Sequence, residues 1–378
     1  MDFGWSAEQR ELRDVVDRFA GRELGGVPGD AAEFPAKLWK RCAAAGIQGL
    51  ALPEPYGGSA ADARTTALAM ETLGRHCRDY GLLFSLGAQM WAVQHPIARF
   101  GTEEQKRRYL PSLCDGSLVG AHAMTEPGSG SDAFGLTSTA GRTEDGWVLD
   151  GTKSFVTNAP VASLFLVFAT TDRARGATAI SAFLVPRNTP GLTVGRPVAK
   201  MGLATSPMAD VALSGCRVGN DAMLGRPGHG LAIFLSAMAW ERTLILAPAL
   251  GTMQRQLDQC VDFARQRRQF GRPIASFQAV SHRIVEMRQR LESARLALYR
   301  AAWALDTGDR STADGALAKL AVSEAFVASS LDAIQVHGGA GYLVDVGLER
   351  TLRDAVAGRI YSGTSELLMN MIANKMGL

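Results

Sequence analysis

The chain has 378 residues, more than one ordinary core holds, so two or three domains are expected. Hydrophobic residues make up 47% and charged residues 20%, which excludes a disordered chain. Net charge is +3, from 40 basic and 37 acidic residues, and gives no electrostatic ground for nucleic acid or an anionic membrane as partner.

The first ~115 residues read as helices. Ser6 with Gln9 forms a capping-box start, and Leu12, Val15, Val16 and Phe19 recur at helical spacing. Pro35 opens a second helix that ends near Gly46. "LPEPYGG" (52–58) is a turn-rich loop, and helices follow over roughly 62–76 and 79–100. Thr102 with Gln105 caps another helix. Asp2 and Glu8 stand where a signal peptide would need a basic and then an apolar region. Cys42, Cys77, Cys114, Cys216 and Cys260 are far apart and form no C-x-x-C, as expected for reduced thiols in the cytoplasm.

From about 119 to 225 the pattern changes to short β runs with turns: "GWVLDGTKSFVTN", "LFLVFAT", "SAFLVP", "GLTVG" and "ADVALSGCRV". Period-2 alternation and Gly/Pro/Asn punctuation predict an antiparallel sandwich or barrel. No useful helix lies between these runs, which argues against a βαβ dinucleotide fold. After "GRPGHG" (225–230) long helices are expected over roughly 230–268, 276–307, 312–337 and 345–357, with a shorter one from about 364, forming an up-down bundle. The division is an N-terminal α-helical domain (1–118), a central β domain (119–226) and a C-terminal four-helix bundle (227–378), an α+β multidomain chain.

One stretch of the bundle is unusual. From Leu231 to Met253 the only charged residues are Glu241 and Arg242. Charged side chains are rarely buried without a partner, and neighbours in a helix do not face each other. The run is long enough to span a bilayer, but with Glu241, Arg242, Pro248 and Gly251 inside it a buried globular helix is expected.

Five stretches carry chemistry. "AHAMTEPGSGSDAFG" (121–135) offers glycines for close backbone approach and hydroxyl donors at Thr125, Ser129 and Ser131, or is a surface turn. "GTKSFVTNAP" (151–160) reads as a turn and a strand with Phe155, Val156 and Thr157. "ARQRRQFGRPIASFQAVSHRI" (264–284) sets Arg265, Arg267, Arg268 and Arg272 around Phe270 in a loop. Guanidinium groups there suit phosphate and the ring suits a base, although a solvated charge cluster at a helix end reads the same way. "IQVHGGAGY" (334–342) breaks a helix with three glycines after Gln335 and His337. "RIYSGTSELLMNMIA" (359–373) is a turn into the last helix with Thr364 as N-cap.

Together and in this order, "TEPGSGSD", "RRQFGRPIASFQ", "QVHGGAGY" with "RTLRD", and "YSGTSE" resemble the acyl-CoA dehydrogenase family, over essentially the whole chain. The resemblance implies FAD and removal of two hydrogens from a thioester: Cα–H as a proton, Cβ–H as a hydride to flavin N5. It places Met124 (backbone), Thr125, Ser131, Phe155 and Thr157 around the isoalloxazine and its phosphate side. It places Arg267 and Phe270 at the pyrophosphate and adenine of a flavin held mainly by a neighbouring subunit. Gln278, Gln335, Gly338 and Gly339 line that cross-subunit site, and Thr364 and Glu366 close it. A homo-oligomer, dimer or tetramer, follows, as does an electron acceptor such as an electron-transferring flavoprotein. No metal is implied.

The sequence departs from the commonest family pattern, which carries a catalytic glutamate directly before the Gly-Thr of the last turn. Here that residue is Ser362, a poor base for a carbon acid. A minority branch, similar to isovaleryl-CoA and long-chain enzymes, keeps a small residue there and places its glutamate on the first long bundle helix, before an arginine. Glu241 before Arg242 fits that branch. Ser362 retains its backbone N–H for the thioester carbonyl. "FSLGAQMWAV" (84–93), "MAWE" (238–241) and "RIYSGT" (359–364) look most like prolyl-carrier-protein dehydrogenases, whose substrate rides a phosphopantetheine arm. A free short- or branched-chain acyl-CoA is the alternative. A flavin oxidase or monooxygenase, or a catalytically silent FAD protein, are readings from other classes.

Overall fold

The computed structural model describes residues 4–26, 33–308 and 312–378. The first helices are α1 (Ala7–Glu23), α2 (Ala36–Ala44), α3 (Ala63–His76), α4 (Tyr80–Gln89), α5 (His95–Phe100) and α6 (Glu103–Cys114). Both capping boxes form. Ser6 Oγ accepts from Gln9 N at 3.1 Å and Gln9 Oε1 accepts from Ser6 N at 3.0 Å. Thr102 and Gln105 repeat the exchange at 3.2 and 3.0 Å. The helix expected over 79–100 is not uniform. A π-helical turn, Met90–Gln94, separates α4 from α5; such turns insert one residue and often mark functional sites.

The chain then enters one eight-stranded sheet: β1 (Gly120–Ala123), β2 (Thr139–Arg142), β3 (Gly146–Thr157), β4 (Leu164–Thr170), β5 (Ile180–Pro186), β6 (Leu192–Val194), β7 (Met208–Gly219) and β8 (Met223–Leu224). The order is β6-β7-β3-β2-β4-β5-β8, with β1 on β4. Most neighbours are antiparallel, as the alternation predicts. β1 and β2, however, both run parallel to β4, which no local pattern reveals. β4 is buried at all seven positions because the sheet covers one face and helices the other.

The C-terminal part comprises α7 (Gly230–Leu244), α8 (Ala247–Gln266), a two-residue-stranded arm of β9 (Arg268–Gln269) and β10 (Arg272–Pro273), then α9 (Gln278–Asp306), α10 (Thr312–His337), α11 (Leu348–Ala357) and α12 (Ser365–Met376). The apolar run from residue 230 to 266 is long and apolar enough to cross a membrane by composition. It is interrupted at Ile245–Leu246, and its α8 portion buries Leu250, Met253, Leu257 and Cys260 in the core shared with α3, α9 and α10. Gly74 and Gly251 explain the closeness of that packing: a Cβ on Gly251 would lie 1.9 Å from the Glu71 carbonyl, so α3 and α8 meet backbone to backbone. The five cysteines are free and buried. Burial pushes the thiols up, Cys42 and Cys260 to about 12, which leaves them inert.

Candidate active site

Glu241 lies near the end of α7, opposite the turn that leads into α12. Its carboxylate accepts a hydrogen bond from Ser362 Oγ. Arg242, the next residue, does not turn toward it: its Nε donates to the Ser362 carbonyl at 3.0 Å. The question of what partners Arg242 is therefore answered by the backbone of the same turn. Ser362 has φ +55 and Gly363 φ +102, a left-handed turn that an L-residue adopts only under constraint. Among the described residues no acceptor stands on the Ser362 N–H.

A second buried cation completes the turn. Lys319 of α10 is 0% exposed, and its Nζ donates to the Gly363 carbonyl at 2.6 Å. Its ammonium lies 5.7 Å from the centre of the Tyr361 ring, and Tyr361 packs on Phe84 of α4 at 4.5 Å. Burial raises the Glu241 carboxyl above its usual range, while the Ser362 hydroxyl, Arg242 and Lys319 pull it back. Burial pulls Lys319 down to about 8, with the Arg242 charge adding to it. On the far side of Glu241, Trp240 stacks on His95 at 4.9 Å and lies 6.0 Å from Trp91 of the π turn. Burial lowers His95 to about 4, so it is neutral.

The loop at 124–131 is framed from below by a buried ion pair. Lys153 Nζ donates to Glu126 Oε1 at 2.7 Å and to the Met124 carbonyl at 3.2 Å. Glu126 also accepts from Thr137 N, Thr137 Oγ1 and Ser138 N. Burial pushes its carboxyl up, but these hydrogen bonds and the Lys153 charge outweigh it and hold it at about 2. The Ser154 N–H donates to the Thr125 carbonyl at 2.8 Å. Beside it the β3–β7 register slips between Lys153 and Val156. This β-bulge gives Phe155 φ +55 and turns it outward, 66% exposed. The ordinary strand expected here is thus broken where its exposed ring sits. Ser131 is exposed and Thr157 half-buried on the same edge.

The remaining expected cofactor residues do not join this edge. Arg267, Phe270, Gln278, Gln335, Gly338 and Gly339 gather where α8 and α10 end and α9 begins, with Phe263 stacked on His337 at 4.4 Å. The arginine-rich loop is a hairpin. Phe270 (φ +49) and Gly271 (φ +78) form its two-residue turn, as in a type I′ hairpin. Phe270 is 92% exposed at the tip. Arg272 is spent on Phe277, 4.2 Å from its ring centre. Gly338 and Gly339 face open space. Lys319 and Gln335 stand about 24 Å apart along α10 at 1.5 Å rise per residue, so the two groups occupy opposite ends of the bundle. Thr364 caps α12, accepting from Leu367 N at 3.2 Å, and Glu366 is exposed in its first turn.

The sequence matches the acyl-CoA dehydrogenase N-terminal domain over residues 6–117, the middle domain over 121–216 and the C-terminal domain over 228–377. The chain belongs to the acyl-CoA dehydrogenase family. It is 43% identical, over the full length of both chains, to an L-prolyl-[peptidyl-carrier protein] dehydrogenase of Pseudomonas fluorescens. Among solved structures it resembles the prolyl acyl carrier protein oxidase AnaB, with a TM-score of 0.97 and 42% identity, covering 99% of this chain and all of that one. PigA with FAD and proline gives a TM-score of 0.97 and 40% identity over the whole of both chains.

Membership of the family makes sense of two exposed rings on left-handed residues. Phe155 and Phe270 present flat apolar faces in open positions, one beside free hydroxyls, the other beside Arg267 and open glycines. The first set offers a flat apolar ring beside hydroxyls, the second a flat apolar ring beside guanidinium charge. The sequence singled out Glu241 and Ser362, which the structure brings together, but not Lys319 and Tyr361, which gather at the same turn. The signal for Lys319 was present: it is the one charge between Asp314 and Glu324 in "GALAKLAVS", the same anomaly that singled out Glu241.

Proposed function

We propose that this chain dehydrogenates the α,β-bond of an acyl or aminoacyl thioester carried on the phosphopantetheine arm of a carrier protein, with FAD as cofactor and Glu241 as the base. One observation carries the base assignment: the Glu241 carboxylate and the Ser362 hydroxyl are hydrogen-bonded, so the helix position and the turn position used by the two branches of the family converge on one point. The likeness to prolyl-carrier-protein enzymes over the full chain supports the carrier-bound substrate.

When bound, FAD accepts the hydride that leaves Cβ. The protein's part is acid–base and positional. Glu241 takes the α-proton as a carboxylate whose basicity is raised by burial. The Ser362 N–H donates to the thioester oxygen and stabilises the enolate character that develops there. The Ser362 N–H stands just before the first turn of α12, where a helix N-terminus favours negative charge. Met124, Thr125, Ser131, Phe155 and Thr157 serve the chain's own flavin, and so do Thr364 and Glu366, which were expected to close the second copy's site but follow the Ser362–Gly363 turn at the Glu241 end of the bundle. Arg267, Phe270, Gln278, Gln335, Gly338 and Gly339 serve the flavin of a second copy, so the working unit is a homo-oligomer, with the cytoplasm as its site of action.

The experiment is anaerobic titration of the FAD-loaded protein with an L-prolyl peptidyl-carrier-protein thioester, L-prolyl-CoA and isovaleryl-CoA. Bleaching of the flavin by the carrier-bound thioester at the lowest concentration is expected. Bleaching by CoA esters alone overturns the carrier assignment, and bleaching by none overturns the dehydrogenase reading. The structure titled an oxidase, at 42% identity, favours a second reading, in which oxygen accepts the electrons. Prompt reoxidation in air with stoichiometric peroxide selects it over an electron-transferring flavoprotein.

A further inference from the structure

Two buried cations hold one turn. Arg242 binds the carbonyl of Ser362 and Lys319 that of Gly363, so both peptide planes that follow Ser362 are fixed by charge-assisted hydrogen bonds. Ser362 in turn spends its three polar groups in three directions: carbonyl to Arg242, hydroxyl to Glu241, N–H outward. We propose that Arg242 and Lys319 are positioning residues of the reaction, a cationic clamp that holds the Ser362–Gly363 turn in its left-handed form so that the Ser362 N–H and the Glu241 carboxylate converge on the same thioester. This inference rests on Glu241 being the base.

Packing alone does not call for such a clamp. Replacing buried ionic groups by apolar side chains of similar volume is often neutral or stabilising. A left-handed Ser362 is strained for an L-residue and needs an external hold. The cations do a second service. Glu241 feels the charge of Arg242 from its own helix and of Lys319 from α10, and meets Ser362 and Tyr361 from the turn; both cations favour its ionised form against burial. Burial and Arg242 lower Lys319, and Glu241, then Glu324 and Glu366, oppose that fall. Neither cation reaches the substrate side of the turn by any contact in the structure; both act through it.

The test uses the full-length FAD-loaded protein and whichever of the L-prolyl carrier-protein thioester and isovaleryl-CoA bleaches it. Lys319→Met should slow anaerobic flavin reduction by on the order of 10- to 100-fold, leave the half-saturating substrate concentration within about twofold, and move the acid limb of the rate to higher pH. Lys319→Arg should recover most of the rate. A readout without turnover is the infrared carboxylate band that disappears in Glu241→Gln; its midpoint should rise in Lys319→Met. Lys319→Gln keeps a donor for Gly363 but no charge, and covers the case in which the methionine variant does not fold: its midpoint should rise as well, with a smaller loss of rate. An unchanged rate with an unmoved midpoint overturns the clamp. So does a rate loss matched by lost FAD and a lower melting temperature while the midpoint stays. If Glu241→Gln reduces as fast as wild type, the base assignment fails instead, whatever Lys319 does.

Discussion

The two ends of α10 differ in kind. Near its start Lys319 is buried among Arg242, Glu241, Tyr361 and the Ser362–Gly363 turn, and the Lys319, Arg242, Glu241 and Ser362 side chains each have a partner within the chain. At its close Gln335, Gly338, Gly339 and the Phe270 hairpin stand in the open. The closed end is the kind of site a single chain completes, where buried groups shift each other's charge. The open end holds side chains that the described residues leave uncovered. An exposed Phe270 on a left-handed residue is costly in isolation. The β domain repeats the contrast within a few residues: Lys153 and Glu126 are sealed below the 124–131 loop, while Phe155 and Ser131 face out above it.

Perturbing the sealed frame should have the largest effect. Glu126→Ala leaves Lys153 buried without its partner and orphans three donors, at a cost of about 3–5 kcal/mol, read as a fall in thermal stability with loss of FAD. The sign with pH follows from the depressed carboxyl. In the wild-type chain this stabilisation is complete above the ordinary carboxyl value of about 4.3 and fades as pH falls through about 2. The variant should lack that acid dependence; an unchanged melting profile between pH 5 and 2 removes the frame from the account. Moving the base is a smaller effect. Glu241→Gly with Ser362→Glu should reduce flavin at least tenfold faster than Glu241→Gly alone, since the two side chains already touch and correct placement governs the rate. Equal rates would separate the two positions. The open end should respond least in stability and only in ligand retention: Phe270→Ala should weaken FAD binding about tenfold, while the melting temperature without FAD changes little, as for an exposed side chain. A large loss of apoprotein stability would show that the hairpin belongs to the chain's own core.

Much of this was legible in the sequence, for local reasons. Capping boxes, the Gly338 break and the Thr364 cap are set within four residues, and all form. Glu241 was legible because a lone carboxylate in an apolar helix has few structural excuses. The partner of Arg242 was not, because it is a carbonyl 120 positions away, and carbonyls leave no trace in sequence. The bulge at Phe155 depends on the register of β3 against β7, a long-range match. The hairpin at Phe270–Gly271 was read as a loop because such turns usually announce themselves with Asn-Gly, and an aromatic residue at the left-handed position hides the pattern. Parallel pairing of β1 and β2 with β4 was hidden for the same reason as the bulge.

The central claim is that Glu241 takes the α-proton. Its most direct test is anaerobic rapid mixing of FAD-loaded Glu241→Gln with the thioester that bleaches the wild-type flavin. Glutamine keeps the shape and can still meet Ser362 Oγ, so substrate should bind with near-wild-type affinity while flavin reduction slows by on the order of 10²- to 10⁴-fold, the usual worth of a general base. Reduction at the wild-type rate would contradict the account.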